Sequence, residues 1–399
     1  MSKLEELIAE LCPDGVEYKE LGDVVMIFDS QRKPVTKKDR IKGIYPYYGA
    51  NGIQDYVSDY IFDGTFLLMG EDGSVINKDN TPVLTWATGK IWVNNHAHIM
   101  SEKSDLALLR FLYFYLSTVD VSSMVRGTPP KINQQQLRSI AIPLPPLPVQ
   151  GEIVRILDNF TELTAELTAE LSARKKQYKY YCQQAFKTNG QSEMVRIGDL
   201  GKWTGGMTPS MSNKAYWENG TIPWISSKDM KSSTLMDSQD HITKLAIEQT
   251  SAKILPANIT TIVARSGILK HTLPVVYVPF CSTVNQDIKA LIVRDDILPR
   301  YAYFVILAYS EDILRKTKKA GGTVDSLDVK AFMNYQVPLV PITEQHHIIA
   351  LLESFDTLCN DLISGLPAEI EARRQQYEYY RNQLLSFPAR ANGETEVGA

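Results

Sequence analysis

The chain has 399 residues, of which 44% are hydrophobic and 22% charged, and its formal net charge is −4. This composition excludes a disordered or fibrous protein and predicts two or three globular domains. No apolar run approaches the roughly 18–20 residues that cross a bilayer, and no basic N-terminal segment leads into an apolar one. We therefore expect neither a membrane protein nor a secreted protein.

The predicted elements alternate between mixed α/β regions and long helices. β-type runs fall at 65–70, 82–85, 259–265 and 274–278, and helical stretches fall at 106–116 and 301–316. In chain order we predict an N-terminal helix (1–15), a first globular domain (16–146), a central helical region (147–190), a second globular domain (191–340), a C-terminal helical region (341–388) and a flexible tail (389–399).

The second half of the chain repeats the first. The stretch that begins at Ile142 matches the one that begins at Val337 in a register of 195 residues, which pairs Gln150 with Gln345. Further along, ARKKQYKYY (173–181) matches ARRQQYEYY (372–380) at an offset of 199. The architecture is therefore a globular segment followed by a helix, repeated once.

Each helical region carries an apolar stripe with steps of three and four residues, which is typical of one helix face. The stripe residues are Ile153, Leu157, Phe160, Leu163, Leu167, Leu171, Tyr178, Tyr181, Ile348, Leu352, Phe355, Leu358, Tyr377 and Tyr380. Two long stripes in one chain most simply bury each other as a coiled coil, about 50 Å long at about 1.5 Å per residue. A run of prolines at 143–148 marks where the first helix begins, and Gly365-Leu366-Pro367 predicts a break in the second.

The sequence resembles the specificity subunits of Type I restriction-modification systems. The resemblance covers nearly the whole chain and is carried in the first unit by PYYGANGIQDYV (46–57) and FDGTFLLMGEDGSV (62–75). In the second unit it is carried by GKWTGGMTPSMSNKAYWENGTIPWISSKDM (201–230), NQDIKAL (285–291) and GGTVDSLD (321–328), and the helices add EARRQQYEYYRNQLLSF.

This resemblance implies an α+β fold of mixed α/β globular domains and long helices. Two target-recognition domains would be separated by an antiparallel two-helix coiled coil, with an internal pseudo-twofold repeat. Each domain would read one half of a split site on double-stranded DNA, and the helices would set the spacer length. The helices would also dock two methyltransferase subunits and, through the complex, the motor-nuclease subunits, in the cytoplasm. The tyrosines near both helix ends suggest two equivalent docking surfaces: Tyr178, Tyr181, Tyr377 and Tyr380. No cofactor is expected on this chain, because S-adenosylmethionine, ATP and Mg²⁺ would be bound by those partners.

The tetrapeptide TAEL occurs twice in succession, at 164–167 and 168–171. Its residues are good helix formers, which is a sufficient structural reason for their presence. The resemblance adds a second hypothesis, because the number of copies of this unit varies within a branch of the family. Each unit would lengthen the helix by about 6 Å and rotate it by about 40° beyond one turn. The repeat would then act as a ruler that shifts the spacing of the half-sites by about a base pair.

Candidate DNA-binding residues are polar or basic side chains in predicted loops, where base edges and phosphates are usually contacted. They are Tyr47, Tyr48, Asn51, Glu71, Ser74, Arg126, Thr128, Lys131, Thr204, Thr208, Ser227, Lys228, Arg265, Ser266, Asn285, Gln286 and Thr323. Asn51 precedes a glycine and is also a strong turn former, so a purely structural role is an equal alternative. Two basic segments, at 32–42 and 315–319, would contact phosphate or form solvated surfaces.

Motifs for catalysis and for metal binding are weak in this sequence. The PDGVEYK string (13–19) places its acids too close together for a nuclease metal site, and no P-loop or glycine-rich methyltransferase motif is present. His96 and His98 alternate on one face of a predicted strand, but no third ligand is near them in sequence. The four cysteines, Cys12, Cys182, Cys281 and Cys359, form no CxxC pair. We therefore expect no metal site, no catalytic residue and free thiols in a reducing compartment.

Two alternatives remain open from the sequence. In one, the chain is a coiled-coil adaptor that binds other proteins and no specific DNA sequence. In the other, which the missing motifs disfavour, the chain is itself a nuclease or a methyltransferase. Co-purification with a methyltransferase and a gel shift in low salt would separate these functions.

Overall fold

A computed structural model of the chain describes residues 3–103, 105–187, 192–319, 324–360 and 365–390. The chain divides into two compact units, the first formed by Met1–Thr164 with Arg373–Ala399 and the second by Ala165–Ala372. The boundaries fall inside long helices, so each unit contains one globular domain and portions of two helical regions. Within the described residues, no helix is both long and apolar enough to cross a membrane.

The first unit begins with a short helix and is built around a six-stranded sheet. Its elements are α1 (Lys3–Leu11), β1 (Glu17–Glu20), α2 (Leu21–Val24), β2 (Val25–Ile27), β3 (Lys42–Gly49), β4 (Gly52–Val57), β5 (Phe62–Gly70), β6 (Leu84–Val93), β7 (Ala97–Glu102), α3 (Leu109–Leu116), α4 (Gln134–Arg138), β8 (Ala141–Leu144) and α5 (Leu147–Ala185), which continues into the second unit. The strand order is β2-β7-β5-β6-β3-β4, and β1 pairs with β8 in a separate ribbon. Only the β3–β6 pairing in this sheet is parallel, through Tyr47 with Trp92 and Tyr48 with Val93.

The second unit has smaller sheets. Its elements are β9 (Glu193–Arg196), β10 (Gly201–Gly205), β11 (Ile222–Ile225), β12 (Asp240–Ile242), α6 (Lys244–Gln249), β13 (Ile259–Val263), β14 (Val275–Val278), β15 (Thr283–Val284), β16 (Ile288–Val293), α7 (Pro299–Ala308), α8 (Ser310–Thr317), β17 (Lys318–Lys319), β18 (Ser326–Leu327), α9 (Val329–Asn334), β19 (Gln336–Leu339), α10 (Ile342–Asn360) and α11 (Leu366–Leu384), whose last part belongs to the first unit. The sheet orders are β10-β16-β13-β14 and β12-β11-β15, and β9 pairs with β19. The helical stretch predicted at 301–316 is two helices, α7 and α8, that meet at Tyr309.

The two globular domains share their internal connections. In the first, β1 pairs antiparallel with β8, and in the second β9 pairs antiparallel with β19. The side chain of Asn133 caps α4, which precedes β8, by accepting a hydrogen bond from Gln136 N. The side chain of Asp328 caps α9, which precedes β19, by accepting one from Ala331 N. These caps are 195 residues apart, so the repeat read from the sequence is also a repeat of structure.

An arginine ties each globular domain to the helix that follows it. Arg110 Nε donates to Asp158 Oδ1 at 2.8 Å. Arg300 donates to Glu353 Oε1 at 3.1 Å and to Asp356 Oδ2 at 3.2 Å. Each guanidinium also lies over three aromatic rings of its own unit. Arginine suits this position because its planar cation can stack on rings while its edge donates to carboxylates.

Helix pairing is antiparallel in the second unit. Leu171 of α5 and Cys359 of α10 line the same cavity, while the ring of Tyr181 stacks on that of Phe355 at 5.1 Å. In the first unit the matching contact is between Phe160 of α5 and Tyr380 of α11, whose rings stack at 5.5 Å. The break predicted near Gly365 lies between α10 and α11.

The apolar stripes do more than pair the helices. Ile153 and Leu157 are buried in the core of the first globular domain, and Ile348 and Leu352 are buried in that of the second. At these positions the stripe residues belong to the domain cores, which the prediction of a coiled coil did not include. The first turns of α5 and α10 pack against their own domains, where burial of apolar side chains is favourable.

Candidate nucleic-acid interface

Four loops of the first unit meet through their main chains: 50–51, 71–74, 94–96 and 126–131. Asn94 N donates to Tyr48 O at 3.0 Å, next to the first loop. Glu71 N donates to His96 O at 2.9 Å, and Ile132 N donates to Glu71 O at 2.9 Å. Because main-chain hydrogen bonds connect the loops, the side chains that project from them are held at fixed positions.

The second unit repeats this frame with loops 226–228, 264–266, 285–287 and 324–326. Asn285 N donates to Ile225 O at 2.9 Å. Ala264 N donates to Asp287 O at 2.7 Å, and Leu327 N donates to Ala264 O at 2.8 Å. Each bond matches one in the first unit, although the side chains at the loop positions differ.

Charges within the first unit's loops are paired. Glu71 accepts hydrogen bonds from Arg32 Nη1 at 2.6 Å and is 3.0 Å from Lys131 Nζ. Burial alone would raise the pKa of Glu71, but the hydrogen bonds from these two cations outweigh it and hold the pKa below its ordinary value. His96 Nδ1 lies 2.5 Å from Asp72 Oδ1. The ion pair of Lys131 with Glu71 and the contact of His96 with Asp72 fasten the 126–131 loop and the 94–96 turn to the 71–74 loop.

His98 is fully buried behind these loops. Its Nε2 lies 2.9 Å from Ile132 O, and its Nδ1 lies 2.6 Å from Asp29 Oδ2. Burial would raise the pKa of Asp29, but the hydrogen bond and charge of His98 and the charge of Arg32 lower it further than burial raises it.

Asp29, Glu71 and His98 are close enough together to share a cation, which the sequence did not reveal. However, Arg32 lies 2.6 Å from Glu71 Oε2 and 3.5 Å from Asp29 Oδ2. The guanidinium therefore already supplies positive charge to both carboxylates. This cluster is better described as a buried ion-pair network that supports the loops.

Apart from Glu71, which is half-buried and paired with Arg32 and Lys131, the predicted residues of the first unit fall into two groups. Tyr47 and Tyr48 are buried, with 1% and 7% of their surface exposed, and Tyr47 Oη accepts a hydrogen bond from Val35 N. The expectation that they face DNA is corrected, because Tyr48 belongs to a buried apolar cluster and Arg40 lies over the ring of Tyr47. The exposed candidates are Asn51, Ser74, Arg126, Thr128 and Lys131. Gly52, with a φ of 85°, closes the tight β3–β4 turn that presents Asn51.

In the second unit the frame brings several predicted residues together. Arg265 forms a bridge with Ser326, and Ser266 N donates to Asp325 O at 3.1 Å. Thr208 Oγ1 donates to Gln286 Oε1 at 2.7 Å. Asn285 is 7% exposed and bonds to main-chain groups, so the expectation of a direct DNA contact is corrected for it as well.

The remaining candidates of the second unit lie at more varied positions. Ser227 and the exposed Lys228 follow β11, and Lys228 Nζ is 3.7 Å from Asp240. Thr204 lies within β10, where its hydroxyl donates to Gly205 O at 3.2 Å. Thr323 lies outside the described residues.

Sequence reasoning missed the turn at 94–96. Asn94 occupies the position that Asn285 occupies in the second unit, and Asn95 corresponds to Gln286. The signal was present as an asparagine that follows a short β run in both halves of the chain. It was overlooked because the two turns are offset by 191 residues and not by 195.

The two basic segments differ in how their charges are used. In the second, Lys316, Lys318 and Lys319 pair with acidic side chains at 2.7, 3.0 and 2.9 Å. In the first, the arginines are paired, as in Arg40 with Asp55 at 3.4 Å. Four exposed lysines of that segment form no ion pair within the described parts of the chain: Lys33, Lys37, Lys38 and Lys42. The first segment is thus the stronger candidate for phosphate contacts.

Comparison with known proteins gives the class to which this architecture belongs. Residues 13–174 and 189–372 match the family described as Type I restriction modification DNA specificity domain. The chain belongs to this family.

Individual relatives agree with that assignment. The chain is 39% identical to the EcoR124I/EcoR124II specificity subunit of Escherichia coli, a Type I restriction enzyme, over 97% of this chain and 98% of that protein. It is 34% identical to a putative type I restriction enzyme specificity subunit of Haemophilus influenzae, over 93% and 96% of the two chains. The crystal structure of a Type I restriction-modification S subunit from M. genitalium superposes with a TM-score of 0.60 at 14% identity, over 93% of this chain and 96% of that chain, which shows a shared fold.

Proposed function

We propose that each globular domain of this chain reads one half of a bipartite DNA site and so sets the sequence specificity of a Type I restriction-modification complex. The main support is the loop frame that both units repeat with the same main-chain hydrogen bonds and different outward side chains. Reading two half-sites of different sequence requires this combination, because base edges are distinguished by side-chain donors and acceptors.

Phosphate contacts would come from the exposed lysines at 33–42 and from the exposed loop residue Arg126. Such contacts fix the position of a protein on DNA without selecting its sequence. With a net charge of −4, the isolated chain would bind DNA modestly and with strong dependence on salt. The assembled complex would be the tight and specific binder.

We infer that the chain is not catalytic. In the described residues, one group of side chains could bind a cation: Asp29, Glu71 and His98. Arg32 forms ion pairs with both of its carboxylates, which makes it a poor site for a catalytic metal ion. Methyl transfer and DNA cleavage would then belong to the partner subunits, which would bind S-adenosylmethionine, ATP and Mg²⁺. The four cysteines are free thiols, which suits action in the cytoplasm.

The helices would act as spacer and as docking surfaces. Helix α5 is continuous from Leu147 to Ala185 and includes both copies of TAEL, so its length would contribute to the distance between half-sites. Of the tyrosines proposed for docking, Tyr178 is buried and bonds to Asp356 Oδ1 at 3.1 Å, and Tyr181 stacks within its unit.

Tyr180 and Tyr379 face outward more fully, with 57% and 59% of their surface exposed, whereas Tyr380 is 37% exposed. Tyr180 and Tyr379 occupy matching positions in ARKKQYKYY and ARRQQYEYY. Exposed tyrosines are common anchors of protein interfaces. Two equivalent anchors support two methyltransferase subunits per chain.

The decisive experiment expresses the chain with its methyltransferase partner and maps the methylated bases in host DNA, with a strain that lacks this gene as the control. The expected result is a two-part motif with a fixed gap that disappears in the control strain. Methylation without any motif, or with a motif unaffected by loss of this chain, would instead favour the coiled-coil adaptor.

A further inference from the structure

The turns at 94–96 and 285–287 share one construction. Asn94 and Asn285 are 2% and 7% exposed. The side-chain oxygen of Asn94 accepts from His96 N at 2.8 Å, and that of Asn285 accepts from Asp287 N at 3.0 Å. Each buried asparagine thus fixes the turn that follows it, and the same asparagine ties the turn to the neighbouring loop through its own N–H.

The residue after each buried asparagine carries an exposed amide. In the first unit it is Asn95, and in the second it is Gln286. Within the described residues the side-chain amide of Asn95 makes no hydrogen bond. Its main-chain oxygen is approached by Arg32 Nη1 at 3.5 Å. Gln286 uses Oε1 to accept from Thr208 at 2.7 Å, which orients the amide and leaves its nitrogen available. A carbonyl oxygen has two lone pairs, so Oε1 can accept a second bond.

An amide side chain matches one base edge in particular. It accepts from the adenine N6 amino group and donates to N7, both of which lie in the major groove. We propose that Asn95 and Gln286 are equivalent adenine-binding residues, each reading one adenine in the half-site that its own unit recognises. This inference rests on the proposed function of the chain.

Neighbouring side chains are less suited to this role in the first unit. Glu71 and Asp72 are engaged by Arg32 and His96, so their carboxylates are already satisfied. The amide of Asn95 stands on the same rigid frame without such a partner. Because the main chain of the turn is already fixed, only the Asn95 side chain itself has to be ordered when a base binds.

The test uses the full chain assembled with its methyltransferase, with three variants: Asn95→Ala, Gln286→Ala and, as a matched control, Gln135→Ala. Gln135 is an exposed amide on α4, outside the loop frame. Methylated motifs are mapped in host DNA, and binding is measured on duplexes that carry each base at every motif position. Thermal unfolding checks that the variants fold.

We expect Asn95→Ala to relax one adenine position in one half-site and to lower discrimination there by about 5- to 150-fold. Gln286→Ala should relax one adenine position in the other half-site, and Gln135→Ala should change neither. Asn95→Asp should shift the preference at its position toward cytosine, because a carboxylate accepts from the cytosine amino group.

Retention of both adenines by folded Asn95→Ala and Gln286→Ala overturns the inference while leaving the proposed function intact, since the wild-type motif would still be read. Relaxation at a position that is not adenine also overturns it. A wild-type complex without any two-part motif overturns both the inference and the proposed function.

Discussion

Gln150 and Gln345 make the same three hydrogen bonds, each in its own unit. Gln150 Oε1 accepts from Leu108 N at 2.9 Å, while its Nε2 donates to the main-chain oxygens of residues 106 and 145. Gln345 Oε1 accepts from Leu298 N at 2.8 Å, while its Nε2 donates to the main-chain oxygens of residues 296 and 340. Both glutamines are almost fully buried. Each joins a domain to the helix that follows it and accepts from the N–H of the residue that caps α3 or α7.

Replacement of either glutamine should destabilise the unit that contains it. Gln150→Ala leaves three buried or half-buried main-chain groups without this partner, and we expect a loss of about 2–4 kcal/mol in the free energy of unfolding. Amide hydrogen exchange should accelerate at Leu108 in Gln150→Ala and at Leu298 in Gln345→Ala. Gln135→Ala, which removes an exposed amide, serves as the control. Unchanged exchange at Leu108 would show that the side chain is dispensable.

Glu152 should make the stability of the first unit depend on pH. The hydrogen bond from Arg155, helped by Lys3, outweighs burial and lowers the pKa of Glu152 from 4.5 to about 2. A carboxylate whose pKa is lower in the folded than in the unfolded protein stabilises the folded state fully when the pH is above its unfolded-state pKa. That contribution is lost as the pH falls through its folded-state pKa.

Urea unfolding of Glu152→Gln should therefore show a stability deficit at pH 7 that disappears between about pH 4.5 and about pH 2. Glu162→Gln, an exposed substitution on the same helix, should follow the wild type at every pH. A deficit that stays constant down to pH 2 would mean that the ion pairs of Glu152 do not contribute.

Removal of unpaired lysines should weaken DNA binding equally for all sequences. In the complex, we expect the triple variant Lys37→Ala, Lys38→Ala, Lys42→Ala to lower the slope of log affinity against log salt by up to about three, because each phosphate contact contributes about 0.9. Fluorescence anisotropy over a salt series gives the slope.

The matched triple variant replaces Lys316, Lys318 and Lys319, which are already ion-paired within the protein. Its slope should change much less. Equal slopes for the two variants would contradict the assignment of the first segment to phosphate contacts.

Deletion of residues 168–171 should shorten the gap in the recognised site. Loss of one TAEL copy shortens α5 by about 6 Å and turns its distal part by about 40°. Since one step of B-DNA is about 3.4 Å, we expect the gap to change by about one to two base pairs while both half-site sequences stay the same. Methylation mapping reads both at once, and an unchanged gap would rule out the ruler hypothesis.

Substitution of the outward tyrosines should change the number of bound methyltransferases. Tyr180→Ala or Tyr379→Ala alone should favour complexes with one methyltransferase, and the double variant should favour the free chain, because each removes one of two equivalent anchors. Native mass spectrometry measures the ratio. Tyr56→Ala, a 51% exposed tyrosine on β4, is the control. A full complement of methyltransferases on the double variant would place docking elsewhere.

The sequence by itself determined the repeat, the family and the helices. A match of Gln150 with Gln345 in one register requires equivalent surroundings, and the structure supplies them as identical hydrogen bonds. The apolar stripes determined α5, α10 and α11, because a period near 3.6 residues is a local property of the chain.

Only the tertiary structure decided which loops meet and which side chains face outward. Tyr47 and Tyr48 look like surface aromatics in sequence, yet packing against other segments of the chain buries both. The neighbours of His98 include Asp29 and Glu71, which lie 69 and 27 residues before it in the sequence. The physical reason is that sheet pairing and ion pairs join residues far apart in the chain, and no local pattern encodes those distances.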